Sequence, residues 1–199
     1  MNLRLELLSL ILFLFNSGIK AQDTIVLLNG KSILSQHAEL NGYAITYHTL
    51  KANSKQKNVN VENVFSIRFA DGTERIIYQP DSLEPDDYSP EQMRMYIIGE
   101  QEAIRYYKNN LNKATAFAFG GGSACLSFYG IIGPAIYATV IGSFSPKMEK
   151  QKVSDLSLLQ NTEFREGYIR KARDKNTKNA ILYGLAGFAS VVAAILITK

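Results

Sequence analysis

The chain has one cysteine, two histidines, five prolines and no tryptophan among its 199 residues. With Cys125 alone, no internal disulfide can form, and its place in a long apolar run suits a small buried residue better than a reactive thiol. His37 and His48 have no cysteine or acidic companions at ligand spacing, so the sequence offers no metal site and calls for no cofactor. Paired carboxylates for acid–base work are missing too. Glu100 and Glu102 stand two residues apart, which on a helix sends them to different sides. The net charge of +4 is too mild to argue for nucleic acid. No catalytic constellation remains, and the expectation is a protein that is not an enzyme.

Charge is most absent in three stretches, residues 7–15, 114–144 and 180–197. The first reads as the core of an export signal over residues 1–21. Arg4, diluted by Glu6, gives the positive start, Asn16, Ser17 and Gly18 break the apolar run, and Ala21 offers a small residue for cleavage. That run is too short for a spanning helix, which needs about 20 residues. No cysteine follows it, so no lipid-linked start is expected, and the mature chain is expected to begin near Gln22.

Residues 22–79 carry strand and turn signals. Asn29-Gly30, Asn41-Gly42 and Asp71-Gly72 each supply the positive φ of a tight turn. Tyr43, Ile45 and Tyr47 alternate with Ala44, Thr46 and His48 at the period of a strand. Residues 51–58 read as a polar, lysine-rich loop, with Lys51, Lys55 and Lys57 solvated. The expectation is five short strands in an antiparallel meander curled into a small SH3-like barrel. The face of Tyr43 and Tyr47 is a candidate partner surface, set against a plain role for these rings in the core.

Residues 80–89 form an acidic linker with Pro80 and Pro85. Ser89-Pro90-Glu91-Gln92 then opens a helix. Ser89 and Gln92 suit a reciprocal cap, Pro90 the first helical position, and Glu91 the positive end of the dipole. This stalk helix is expected over residues 90–112.

The two long neutral stretches favour lipid over a soluble core. Residues 179–199 have the length of one crossing, and residues 113–146 make a longer first transmembrane segment. Two forms of that first segment are open. It can cross once with a kink near Gly133-Pro134, or fold back as a hairpin at residues 130–134 with each arm under about 25 Å. The single crossing is preferred because the connector at residues 147–178 is rich in lysine and arginine, and such residues mark the cytoplasmic side. On that reading the β-domain is exported and the connector is cytoplasmic at the bacterial inner membrane.

Small residues recur at four-residue steps. Gly130, Pro134, Ala138 and Gly142 form one row; Ala186 and Ser190 belong to another, beside Ala180 and Gly184. Such rows let helices approach closely, within the chain or in a homo-oligomer. Residues 162–179 read as an amphipathic helix leading into the second span. Its Arg165, Arg170, Lys171, Arg173, Lys175 and Lys178 are candidates for an anionic lipid surface or plain topogenic charge.

Three stretches also carry a resemblance. "GEQEAIRYYK" at residues 99–108, the apolar Gly-Pro block and "EGYIRKARDK" at residues 166–175 together resemble an uncharacterised family of bacterial envelope proteins. "DTIVLLNGKSI", "ITYHT" and "VFSIRFADGTERIIY" resemble a small β-domain found ahead of that tail. Glu102 stands where the first motif leads one to expect Asp. The resemblance implies an envelope location and brings no catalytic residues.

The fold class expected is therefore α+β, a small β-domain followed by a helical stalk and two transmembrane helices. The function expected is interaction at a membrane, with lipids and a protein or envelope partner for the β-domain. The alternative is a small oligomeric transporter or channel component built from the glycine-rich spans.

Overall fold

The computed structural model describes residues 22–50, 55–81, 87–147 and 153–198. Residues 1–21, where an export signal is expected, Lys51 and much of the expected acidic linker lie outside the described residues. The chain is α+β and divides into two compact units.

The first unit is a sheet of six antiparallel strands. These are β1 (Asp23–Leu27), β2 (Ser32–Asn41), β3 (Ala44–Thr49), β4 (Gln56–Asn60), β5 (Val64–Arg68) and β6 (Glu74–Ile76). Their order is β4-β3-β2-β1-β5-β6. Four strands follow as a meander, and β5 returns to the free side of β1. Among the described residues no pairing joins β4 to β6, so the expected closed barrel is instead an open sheet with two edges. One more strand is present than expected. It is β4, in the segment read as a loop, with Lys57 paired opposite Tyr47. Its side chains are mostly exposed, which suits an edge strand and hides it from a search for alternating apolar residues.

Ile25, Ile45, Tyr47, Val64 and Ile67 form the core of this sheet. The reversal after β2 consists of Gly42 and Tyr43, one residue later than the Asn41-Gly42 expected, since Asn41 still pairs with Ala44. Gly42 has φ +60°, the conformation that favours glycine at the first position of such a turn. A bulge interrupts β2 between Ser35 and Ala38. The buried Asp23 carboxylate answers it, accepting from the amides of Ala38 at 2.8 Å and Ala70 at 2.9 Å. One side chain thereby ties β1 to β2 and to the chain just after β5.

The second unit holds residues 79–199 and the turn residues 28–31. Its described residues form four α-helices, α1 (Pro90–Tyr106), α2 (Asn110–Ser123), α3 (Gly133–Ser143) and α4 (Thr162–Ile197). Ser89 and Gln92 cap α1 reciprocally as the sequence suggested. The stalk is not one helix to residue 112, however. Tyr107 leaves helical geometry, and Asn109 starts α2 by accepting from the amide of Asn112 at 3.1 Å. Helix α4 is continuous for 36 residues, roughly 54 Å. Its first half packs along α1 and its second half along α2.

The first neutral stretch folds back. Ser127 takes a φ of +57° at the break, uncommon for a residue with a Cβ. The hydroxyls of Thr115 and Tyr137 meet at 2.6 Å, and a Cβ on Gly133 would lie 2.6 Å from that of Ser123. Contacts paired in this descending order place α2 and α3 antiparallel. This corrects the preferred single kinked crossing, and it moves the reversal from residues 130–134 to Leu126-Ser127. Helix α4 is the one described helix long and apolar enough to cross a membrane by length and composition.

Candidate functional site

The first half of α4 carries a polar face. Glu166, Arg170, Arg173, Asp174 and Thr177 follow one another at steps that bring them to one side of a helix. Tyr88, just ahead of α1, and Tyr96 within it face them. Gly142, at the end of α3, completes the wall of a cleft of about 630 Å³.

Each aromatic group in the cleft is held. The Tyr88 and Tyr96 rings lie 5.6 Å apart, tilted by 41°. The Tyr88 hydroxyl donates to Glu166. That bond, with help from burial and the Glu166 charge, pushes the Tyr88 phenol up to about 12. Arg170 Nη1 donates to the Tyr96 hydroxyl at 2.9 Å. Arg173 Nε donates to the carbonyl of Gly142 at 2.9 Å, satisfying a C-terminal carbonyl of α3. The cleft therefore presents two guanidinium groups and two carboxylates, a balanced set of charges.

The six basic residues expected at a lipid surface divide. Arg165, Arg170 and Lys178 are exposed, and Arg173 is half-buried over α3. Lys171 and Lys175 turn inward, which corrects the expectation for both. Lys175 Nζ donates to the carbonyls of Ala103 at 3.0 Å, Ile104 at 3.0 Å and Tyr107 at 2.7 Å. Ala103 also accepts from the amide of the cap residue Tyr107 at 3.2 Å, and an ammonium group with three donors supplements that bond and serves the carbonyls of Ile104 and Tyr107 at the helix end. Lys171 is buried, donates to the Asn29 carbonyl of the turn and lies 3.8 Å from Glu100 Oε1. Glu100 is 3% exposed, and its Oε2 has no hydrogen-bond partner among the described residues. Burial raises the Glu100 carboxyl above its ordinary value, opposed by Lys171 and Arg170. Glu102 looks elsewhere, accepting from the Ser154 amide at 2.8 Å, as the two-residue spacing required.

The small-residue rows are mostly packing surfaces. Ala138 and Ala180 are buried with Ala116 in one cluster. A Cβ on Gly184 would lie 2.9 Å from Pro134 Cβ, and one on Gly142 would lie 2.7 Å from Thr177 Oγ1. A Cβ on Gly130 would overlap the Ser123 carbonyl. Ala186 and Ser190 depart from the expectation, since both are exposed. Gly187, one residue on, takes the role of Ala186 and faces the Phe117 carbonyl so closely that a Cβ would overlap it. Gly99 and Gly167 do the same between α1 and α4. Their signal was present as lone glycines inside helical runs.

The candidate partner face of Tyr43 and Tyr47 is not a face. Tyr43 is 92% exposed in the turn, whereas Tyr47 is 8% exposed in the core of the sheet. No trio of histidine, cysteine or acidic side chains could hold a metal ion among the described residues.

Comparison of the chain with family models, curated proteins and solved structures finds no match. The cleft must speak through its own chemistry. The one hydroxyl in it that donates to a carboxylate, that of Tyr88 to Glu166, is held as a phenol by that bond. Its groups suit holding a polar ligand, with the apolar ends of α2, α3 and α4 beginning directly beside it.

Proposed function

We propose that the chain is a membrane-anchored envelope protein that presents its β-sheet unit to a protein or envelope partner, without catalysis. One observation carries the reading. The helices α2, α3 and the second half of α4 pack through small residues and turn their large apolar side chains outward. Leu111 of α2, Ile136 of α3, and Leu182 and Leu196 of α4 are each more than half exposed, as are Leu126 and Tyr129 between α2 and α3 and Phe144 just after α3. Only 17% of the most apolar stretch of α4 is buried against the rest of the chain. So large an apolar exterior is a poor surface in water and an ordinary one in hydrocarbon.

On this reading residues 180–197, about 27 Å as a helix, cross the bilayer, and α2 and α3 enter it as a re-entrant hairpin. The packing of α1 along α4 then keeps the basic connector on the same side as the β-unit. The split arrangement, an exported domain with a cytoplasmic connector, is thereby replaced. An export signal at residues 1–21 carries everything up to the crossing outward at the inner membrane, since long domains translocate largely regardless of charge. Gly120 and Gly121 of α2 and Gly133 and Gly142 of α3 face neighbouring helices within the chain, which supports anchoring over conduction. Membership of the envelope family that the sequence resembles is part of the same proposal.

Fractionation tests it. The chain is expected to sediment with membranes and to resist an alkaline wash. Deletion of residues 22–79 is expected to abolish partner capture and leave sedimentation unchanged. A chain that stays in the detergent-free supernatant contradicts the proposal.

A further inference from the structure

We infer that the cleft between α1, α3 and the first half of α4 binds a headgroup in which a phosphate is joined to an ammonium, as in phosphatidylethanolamine. Three observations meet there. Arg173 spends only Nε on Gly142, and Arg170 only Nη1 on Tyr96, so both keep donors in a fork that fits phosphate oxygens. Asp174 is exposed in the same wall with no hydrogen-bond partner among the described residues, and Glu166 stands two turns before it. The Tyr88 and Tyr96 rings beside them offer aromatic faces that attract a cation. A purely anionic ligand would meet two carboxylates as well as two guanidinium groups. A ligand carrying both signs answers the whole set.

Position supports a lipid as the source. Gly142 and Thr177 line the cleft where α3 ends and where α4 loses its charge, Lys178 being its last ionised residue before the neutral run. A headgroup in the cleft leaves its acyl chains beside exposed Val140, Phe144 and Ile181. The lipid source rests on the membrane reading above; free phosphoethanolamine has the same chemistry and does not.

Native mass spectrometry of the full chain released from detergent tests both sources. Short-chain phosphatidylethanolamine and phosphatidylglycerol are offered at equal concentration, and phosphoethanolamine is offered separately. The expected result is retention of phosphatidylethanolamine over phosphatidylglycerol by about fivefold, the upper end for an exposed ion pair. Asp174→Asn is expected to remove that preference and raise phosphatidylglycerol retention by a similar factor, since it leaves a net positive cleft. Asp174 makes no hydrogen bond among the described residues, so this variant keeps the fold. Arg170→Gln is expected to weaken both lipids. Binding of phosphoethanolamine without either lipid supports the headgroup chemistry and assigns it to a free molecule. Equal retention of the two lipids, or an Asp174→Asn variant with unchanged preference, overturns the inference. Those results leave the membrane reading standing, which fails only if the chain needs no detergent.

Discussion

Two glycines on α2, two residues apart, are expected to respond oppositely to the same added methyl group. Gly120 faces the backbone of α4, where a Cβ would overlap the Gly184 carbonyl. Gly122 has nothing within 4 Å of an added Cβ. Alanine gains about 0.5–1 kcal/mol over glycine inside a helix at either position. At Gly122 that gain is the whole effect, so Gly122→Ala stabilises by about 1 kcal/mol. At Gly120 the obstacle is backbone, which has no rotamer by which to withdraw. The helices must separate and lose dispersion contacts along their length, an overpacking cost of about 1–3 kcal/mol. Gly120→Ala is therefore destabilising by up to about 2 kcal/mol net, and since the propensity gain is common to both, the pair of variants differs by the overpacking cost of roughly 1–3 kcal/mol. Denaturant titration of each full chain in the same micelle, followed by helical circular dichroism, reads the difference. Equal shifts of the same sign in both variants would refute the packing of α2 on α4.

Three further outcomes follow from single contacts. Burial raises the Glu100 carboxyl above its ordinary 4.5, so its contribution to stability is complete below pH 4.5 and is lost as pH rises through the raised value. Glu100→Gln removes that dependence, and the stability of the native chain relative to the variant must fall with rising pH across this window; a flat or rising difference contradicts the assignment. Lys175→Met removes the ammonium donor from the carbonyls of Ala103, Ile104 and Tyr107, of which Ala103 keeps the Tyr107 amide, and is expected to cost about 1–3 kcal/mol, with faster amide exchange in the last turn of α1. Asp23→Asn sets an amide donor against one of two backbone donors, and a loss of about 2 kcal/mol in the β-unit is expected, read as lost exchange protection at Ala38 and Ala70.

Local chemistry was legible in the sequence and long-range chemistry was not. The cap at Ser89 and the turns at Gly42 and Gly72 follow from residues within a few positions of one another, and the structure has all three. Strand β4 escaped because an edge strand can be polar on both sides. The break at Tyr107 escaped because the lysine that satisfies its carbonyl lies 68 residues away. A reversal was sought at residues 130–134, where glycine and proline favour a bend, and it occurs at Ser127, where the residue does not. Of the cleft, the basic residues of α4 were recognised and their partners were not. Nothing in a run of lysines and arginines tells which will cap a neighbouring helix end. That is settled by where α1 and α3 stop, and both stops depend on packing against α4.

The side of the membrane on which each segment lies tests the account most directly. Single cysteines at Lys57, Ser157 and Thr198, introduced after Cys125→Ser, can be labelled from outside intact cells with an impermeant maleimide. A hairpin with one crossing predicts that the cysteines at Lys57 and Ser157 label together from outside and the one at Thr198 only after lysis. Labelling of the positions at Lys57 and Ser157 from opposite sides would contradict the fold-back of α2 and α3 and the membrane account built on it.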